Sequence, residues 1–157
     1  TKTGYSFLNW YTNTTGTGGT AYSAGDSYSS QANLNLYANW TPAARTVTYA
    51  LDGGTSSANT ATLTGKVIGD TVVLPASSTM TKTGYSFTGW SDGTTTYGGG
   101  ATWTVPASDS NFTITAQWTL LTLSYRYDIN GATGDIAKQS ITFTVNSATT
   151  IATTGTF

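Results

Sequence analysis

Alternating apolar and polar positions dominate this chain, and helical periodicity is nearly absent from it. A period of two predicts strands that bury one face. The clearest alternating runs come in matched pairs, 34–40 with 112–118, 47–51 with 123–129 and 63–67 with 141–145, together with 70–74 and 85–87. Segments rich in glycine, asparagine and aspartate separate these runs and predict turns. The pattern therefore predicts a mainly β fold.

The alternating pattern belongs to an internal repeat. The heptapeptide TKTGYSF occupies residues 1–7 and again residues 81–87. Beyond it, four pairs of apolar positions match in order: Trp10 with Trp90, Tyr28 with Trp103, Leu36 with Ile114, and Trp40 with Trp118. Repeats at such a period usually stack into arrays whose units support one another. Residues 1–80 and 81–157 both begin and end at the same point of the repeat. We therefore expect the chain to be one link of a longer array.

The order of strand types predicts how the repeats divide. Residues 46–118 hold one copy of every type and form a complete repeat. Residues 1–40 correspond to the back half of a preceding repeat, and residues 121–157 to the front half of a following one. Residues 41–45, which include Pro42, are the best candidate for a linker. Each half-repeat is expected to need an adjoining copy to cover its apolar strands.

Aromatic residues are the main candidates for the core, because buried aromatics dominate the energetics of small domains. They reach 13% of the chain. A second group, near glycine-rich loops, is the best candidate for exposed contacts to another repeat or to a ligand. The predicted core residues are Tyr5, Phe7, Trp10, Trp40, Tyr49, Tyr85, Phe87, Trp90, Trp118 and Tyr127, and the candidate exposed contacts are Tyr22, Tyr28, Tyr97 and Trp103.

Charge and composition argue against several functions. Only 8% of the residues are charged and the net charge is −1, so no basic surface invites nucleic acid or anionic lipid. The chain contains no apolar run of 18 residues, so the sequence predicts no membrane-spanning helix. The chain has neither His nor Cys, which removes Ser–His and Cys–His nucleophiles and the usual zinc ligands. We therefore predict no enzyme activity, no metal site and no cofactor; the aspartates at 52 and 109 are interpreted as turn residues.

Four segments carry a resemblance to a known family: VTYALDGG at 47–54, VVLP at 72–75, KTGYSFTGW at 82–90, and the run from Phe112 to the Ala-Gln-Trp at 116–118. They resemble the Listeria–Bacteroides repeat, or internalin B-repeat, family of bacterial surface proteins. The resemblance implies a β-grasp-like repeat in an extracellular or cell-surface protein, without catalytic residues. The chain departs from the family pattern at three positions: Asn9 replaces the glycine matched by Gly89, Asn39 replaces the glutamine matched by Gln117, and Ala132 stands where the family prefers glycine.

Two functions from different classes follow. The first is a structural repeat of an extracellular fibre or stalk, in which copies assemble head to tail through their half-repeats. The alternative is an adhesin module that binds glycan or protein through exposed aromatics. Coplanar, solvent-facing rings among Tyr22, Tyr28, Tyr97 and Trp103 would favour the adhesin, whereas burial would favour the structural repeat. A passive spacer for a catalytic domain elsewhere is a third, weaker possibility.

Overall fold

The computed structural model describes residues 1–125 and 139–142, and in this part of the chain the protein is mainly β. One short 3-10 turn, Ser77–Thr79, is the helical element of the described residues. No helix among them is long or apolar enough to cross a lipid bilayer. The strands in chain order are β1 (Tyr5–Tyr11), β2 (Ala21–Tyr22), β3 (Tyr37–Pro42), β4 (Arg45–Ala50), β5 (Thr55–Ser56), β6 (Leu63–Lys66), β7 (Thr71–Val73), β8 (Met80–Thr81), β9 (Tyr85–Ser91), β10 (Thr96–Tyr97), β11 (Thr102–Thr104), β12 (Phe112–Leu120), β13 (Thr122–Tyr125) and β14 (Gln139–Thr142).

The strands form several small sheets rather than one large sheet. The N-terminal strands make a three-stranded sheet in the order β2-β1-β3. A five-stranded sheet has the order β10-β9-β12-β4-β6, and three strand pairs, β11-β7, β13-β14 and β5-β8, complete the described fold. The β-grasp-like detail of the sequence prediction stays a prediction.

The two copies of the repeat share strand pairing and register. Strand β1 pairs antiparallel with β3 as β9 pairs with β12, so that Phe7 lies opposite Trp40 and Phe87 opposite Trp118. In each copy the register then slips by one residue, at Leu8 in β1 and at Thr88 in β9. An extra residue of this kind is a β-bulge, which bends and twists the strand that carries it. The repeated heptapeptide and the Trp that follows it therefore encode the same local geometry twice.

Contacts between Cα atoms divide the chain into two compact units. The first consists of Thr1–Thr48, Ala61–Val73 and Thr102–Thr113. The second consists of Tyr49–Thr60, Leu74–Ala101 and, among the described residues, the segment from Ile114 onward. The predicted complete repeat, 46–118, contributes segments to both units, and its boundaries stay a prediction.

The core of the first unit is centred on Trp103, which is 1% exposed. Strand β11 pairs with β7 so that Trp103 lies opposite Val72, and the Trp103 ring contacts Phe112 edge-on at 5.2 Å between ring centres. The other buried apolar residues of this unit are Ala43, Val47, Val72 and Val105. Residues from both strands of the β11–β7 pair are thus needed to close this core.

A cluster of polar contacts holds the predicted linker in the first unit. Asp109 Oδ1 accepts a hydrogen bond from the Gly4 N–H at 2.9 Å and lies 3.6 Å from Arg45 Nη2. Arg45 Nε also donates to the Ser108 carbonyl at 3.0 Å. Ala43, at the centre of the predicted linker, is buried and its N–H donates to the Gly4 carbonyl. Ala43 and Arg45 therefore anchor the predicted linker in the first unit through hydrogen bonds, while Thr41, Pro42 and Ala44 are exposed.

The core of the second unit is centred on Trp90, which has no exposed surface. Leu74, Met80, Ile114 and Ala116 are buried in the same unit. Phe87 stacks edge-on against both Trp90 and Trp118, with ring centres 5.5 Å and 5.3 Å apart. Because the rings meet edge to face, their quadrupoles add attraction to the burial of their surface.

One predicted strand starts later than the sequence indicates. The alternating run 34–40 predicts a strand from Leu34, whereas β3 begins at Tyr37. In the second copy the corresponding run is ordered from Phe112, which packs on Trp103 of β11. Strand β11 in turn needs β7, and the first copy has no described counterpart of β7 next to Tyr28. Without that partner, residues 27–36 form no strand.

A glycine substitution tests the close packing of the second unit. A Cβ atom on Gly54 would overlap Cζ2 of Trp118, and the Trp118 ring is held in place by the hydrogen bond that its Nε1 donates to the Leu51 carbonyl. We expect Gly54→Ala to lower the free energy of unfolding by about 1–3 kcal/mol, the usual cost of overpacking.

The control is Gly98→Ala, because a Cβ at Gly98 would meet nothing within 4 Å. This variant should be neutral or stabilised by up to about 1 kcal/mol through the unfolded state. Urea denaturation followed by Trp fluorescence measures both variants. Equal stability of the two would contradict the close contact between Gly54 and Trp118.

Candidate functional site

Most of the large apolar side chains that the described part of the chain leaves exposed lie in the N-terminal copy of the repeat. Four of them match positions of the second copy: Phe7 and Trp10 are each 39% exposed, Tyr28 is 43% exposed and Leu36 is 40% exposed. We call these four residues the open aromatic face. Phe7 and Trp10 contact each other, with ring centres 5.3 Å apart. Contiguous exposed apolar surface is uncommon on a protein without a partner.

The equivalent residues of the second copy are covered. Trp90 and Ile114 have no exposed surface and Trp103 is 1% exposed, while Phe87 is half-buried. The sequence match between the copies thus pairs an exposed residue with a buried one at three positions of four. At the Trp10 and Trp90 pair the residue type is the same, so the difference in exposure there reflects what lies against each ring.

Ring geometry within each copy is nearly the same. Phe7 and Trp10 have ring centres 5.3 Å apart, compared with 5.5 Å for Phe87 and Trp90. Phe7 and Trp40 are 5.6 Å apart, compared with 5.3 Å for the second-copy pair. The rings around Phe7 therefore have nearly the same spacing as the rings around Phe87, although Trp10 is exposed and Trp90 is buried.

Three contacts show what covers the second copy. Tyr49 of β4 meets the Trp90 ring edge-on at 5.4 Å, and burial of the Tyr49 hydroxyl raises its pKa. Trp90 Nε1 donates to the Pro75 carbonyl at 3.0 Å. Trp103 lies opposite Val72 of β7. All three covering residues come from the front half of the central repeat, between residues 46 and 75.

A groove beside the open aromatic face is lined by Thr1, Lys2, Tyr5, Phe7, Trp40 and Asp109, and its volume is about 420 Å³. We call it the Lys2 groove. Lys2 Nζ lies 4.0 Å from the centre of the Tyr5 ring, an arrangement that the negative face of the ring favours. In the second copy Lys82 lies over Tyr85 in the same way, at 4.6 Å.

The structure corrects the sequence prediction at three aromatic positions. Phe7 and Trp10 were assigned to the core, but each is 39% exposed; among the described residues, nothing covers Trp10 as Tyr49 and Pro75 cover Trp90. Trp103 was a candidate exposed contact, but it is buried because β11 pairs with β7 and places the ring on Phe112.

The other predicted residues fall into three groups. Trp90 is fully buried and Tyr127 lies outside the described residues. Among the candidate exposed contacts, Tyr28 is exposed, and Tyr22 and Tyr97 are half-buried. The remaining core candidates are half-buried: Tyr5, Trp40, Tyr49, Tyr85, Phe87 and Trp118.

The candidate exposed aromatics form no flat platform. Tyr22 and Tyr28 are 6.2 Å apart with their ring planes at 81°. The Tyr28 hydroxyl donates to the Ala32 carbonyl at 2.9 Å, and that of Tyr97 donates to Asp92 Oδ2 at 2.9 Å. The Tyr22–Tyr28 pair thus lacks the coplanar rings on which the adhesin alternative depends.

Asp92 anchors the turn between β9 and β10. Partial burial raises its pKa, but four hydrogen bonds to the carboxylate, from the Thr95 and Thr94 N–H groups, Thr94 Oγ1 and Tyr97 Oη, together lower the pKa well below its usual range. The same contact with Asp92 raises the pKa of Tyr97. The Asp92 carboxylate therefore holds the Tyr97 side chain next to strand β9.

Comparison with known proteins identifies the family of the chain. The profile of the Listeria-Bacteroides repeat domain matches residues 1–39 and again residues 46–117. The chain belongs to the Listeria-Bacteroides repeat family. Internalin H of Listeria monocytogenes serovar 1/2a (strain ATCC BAA-679 / EGD-e) is 34% identical over 122 residues, which are 76% of this chain and 20% of Internalin H. The chain thus spans about a fifth of that relative, and no solved structure matches it.

The match over 1–39 contains the open aromatic face, and the match over 46–117 contains the covered residues that correspond to it. Sequence reasoning missed Leu36 as part of the exposed face, although its match with Ile114 was visible. It also missed the role of Gly54, because close approach to Trp118 is a tertiary contact. Among the described residues, no group of three or more Asp, Glu, His or Cys side chains could hold a metal ion.

Truncation of the two equivalent tryptophans should have unequal effects. Trp90→Ala removes a fully buried ring and should lower the free energy of unfolding by about 3–5 kcal/mol. Trp10→Ala removes a ring that is 39% exposed and should cost no more than about 2 kcal/mol. Equilibrium denaturation by urea measures both. Equal losses would contradict the unequal cover of the two copies.

Acid titration should reveal the fixed carboxylate of Asp92. The pKa of Asp92 is lower in the folded protein than in the unfolded chain, where an Asp titrates near pH 4. The ionised carboxylate therefore stabilises the fold fully above about pH 4. That contribution is lost as the pH falls through the lower folded pKa. Carboxyl-carbon NMR should show Asp92 still ionised below pH 4, and Tyr97→Phe should raise its pKa. An ordinary Asp titration in the folded protein would contradict this arrangement.

Proposed function

We propose that this chain is a structural repeat module of a bacterial surface or extracellular protein. In this proposal the back half of one repeat is completed by the front half of its neighbour, so that copies assemble head to tail into a fibre or stalk. The family membership supports the coarse assignment. The head-to-tail arrangement rests on the aromatic strands of this chain.

One observation carries the proposal: the same aromatic arrangement is buried in one copy and exposed in the other. Trp90 has no exposed surface beneath Tyr49 and Pro75, whereas Trp10 is 39% exposed. The contacts that would cover the open aromatic face are those found at its counterpart. They are the edge of a tyrosine ring, a carbonyl group that accepts from the indole N–H, and a strand that pairs as β7 does.

The front half of another repeat supplies all three groups. Within this chain the sequence 121–157 matches the front half, and Tyr127 matches Tyr49. A contact between a front half and a back half joins two different surfaces, so each of the two joined molecules keeps its other surface free for a further copy. Heterologous contacts that do not close into a ring produce open filaments. An array held in this way is approximately one-dimensional, and its stability is a sum over neighbouring contacts.

The groups that hold such an array would respond weakly to the surroundings. The chain has no cysteine, and its net charge is −1. Backbone hydrogen bonds between strands and edge-on contacts between aromatic rings involve no group that changes its charge at physiological pH. This suits a repeat on an exposed surface.

The adhesin alternative has less support from the geometry. Its candidate residues comprise a buried Trp103, a Tyr97 held by Asp92, and a Tyr22–Tyr28 pair whose rings are nearly perpendicular. Glycan-stacking surfaces need open ring faces. No observation favours the glycan partner over a neighbouring repeat.

Fusion of two full chains tests the proposal, because the fusion places residues 121–157 of the first copy directly before residues 1–40 of the second. Hydroxyl-radical footprinting with mass spectrometry compares the oxidation of Trp10 in each copy. We expect Trp10 of the second copy to be protected to nearly the level of Trp90. Trp10 of the first copy should oxidise as it does in the single chain.

Isotope labelling of one copy distinguishes the two Trp10 positions, and Trp90 serves as the buried reference within the same molecule. Substitution of Tyr127 by Ala in the first copy should restore the oxidation of the second-copy Trp10. Equal oxidation of Trp10 in both copies of the unsubstituted fusion would refute the completion of one half-repeat by another.

A further inference from the structure

We propose that the Lys2 groove is a docking site for the Leu-Asp-Gly-Gly turn of a neighbouring repeat, with the second glycine as the specificity determinant. This inference rests on the proposed function and names the part of the partner that this groove recognises. The occupant is a turn on another copy of the repeat, and its recognition is mostly by backbone atoms.

The filled counterpart of the groove supplies the first step. In the second unit, Trp118 Nε1 donates to the Leu51 carbonyl at 3.0 Å. Lys82 Nζ donates to the Asp52 carbonyl at 2.6 Å and lies 3.5 Å from the Asp52 carboxylate. Gly54 lies so close to the Trp118 ring that a Cβ atom would overlap it. One turn thus satisfies the Trp donor and the Lys cation of the back half.

The Lys2 groove presents the same groups without the turn. Trp40 and Lys2 correspond to Trp118 and Lys82, and both line the groove. Among the described residues, Trp40 Nε1 and Lys2 Nζ have no hydrogen-bond acceptor. Asp109, also at the groove, is already engaged by the Gly4 N–H and by Arg45, so it leaves Lys2 available for an incoming carbonyl.

The backbone of the filled turn shows which sequences fit. Asp52 and Gly53 have φ values of 50° and 76°, in the left-handed region that Asn, Asp and Gly tolerate best. Gly54 has no such φ, and its requirement for glycine is the space taken by the Trp118 ring. The first two positions select turn formers, and the third selects for the absence of a side chain.

The chain itself carries a second turn sequence that passes only part of this selection. Ile129-Asn130-Gly131-Ala132 matches Leu51-Asp52-Gly53-Gly54 in sequence. Asn130 and Gly131 suit the left-handed positions, but Ala132 adds a methyl group where Gly54 meets the ring. As an occupant of the Lys2 groove of another copy, this turn should therefore bind less tightly than a turn with two glycines.

Self-association of the full, unfused chain tests the proposal by sedimentation equilibrium. Ala132→Gly should lower the dissociation constant by about tenfold, because relief of overpacking outweighs the added flexibility of the unfolded turn. Trp40→Phe introduced into Ala132→Gly should reverse the gain, since an aromatic face remains but the N–H donor and part of the ring surface are lost. Ala44→Gly, at an exposed position of the same chain, is the matched control and should change nothing.

The outcomes separate this inference from the proposed function. If Ala132→Gly leaves the association unchanged or weakens it while the fused chains still protect Trp10, the docking of the turn is overturned and head-to-tail completion stands. If no variant associates and Trp10 stays unprotected in the fusion, both are overturned. An equal gain from Ala44→Gly would also overturn the inference, because the effect would then be one of flexibility alone.

Discussion

The burial of one tryptophan determines much of the rest of this structure. Trp90 lies in a strand of the back half, yet the Tyr49 edge and the Pro75 carbonyl that cover it come from the front half. Neither half can bury this ring alone, since the back half supplies the ring and the front half supplies the surface and the acceptor. An indole N–H without an acceptor would be costly at a buried position, so the hydrogen bond and the packing must form together.

The N-terminal copy shows what the back half does without this cover. Strands β1 and β3 still pair, the bulge still forms at Leu8, and Phe7 still meets Trp10 and Trp40 edge-on. Local pairing and ring contacts therefore belong to the back half itself. The strand ahead of Tyr37 does not form, in contrast: in the second copy the equivalent β11 pairs with β7, and residues 27–36 have no such described partner. Hairpin geometry is encoded locally, and closure of the core is encoded in a different segment of chain.

This division explains which features the sequence could predict. Alternation identified most strands, and the repeated heptapeptide with Trp10 and Trp90 aligned the two copies because strand geometry and local turns depend on nearby residues. The exposure of Trp10 and the burial of Trp103 depend on which strand lies alongside, and composition near a loop is a poor guide to that. The close contact of Gly54 also depends on a distant part of the chain. Its neighbours indicated a turn, but the reason for its lack of a side chain is a ring 64 positions along the sequence numbering, at Trp118.

Completion of a repeat by its neighbour would also couple folding to assembly. A back half with Trp10, Tyr28 and Leu36 at about 40% exposure buries too little apolar surface to be as stable as the covered copy. Cover from a neighbour would stabilise both halves at once, and the local stability of each unit would depend on its place in the array. The Lys2 groove then has a specific part in this coupling. Because the turn that fills its counterpart is recognised through carbonyl groups and the absence of a side chain, one position of that turn can adjust the strength of the contact without a change in the aromatic strands.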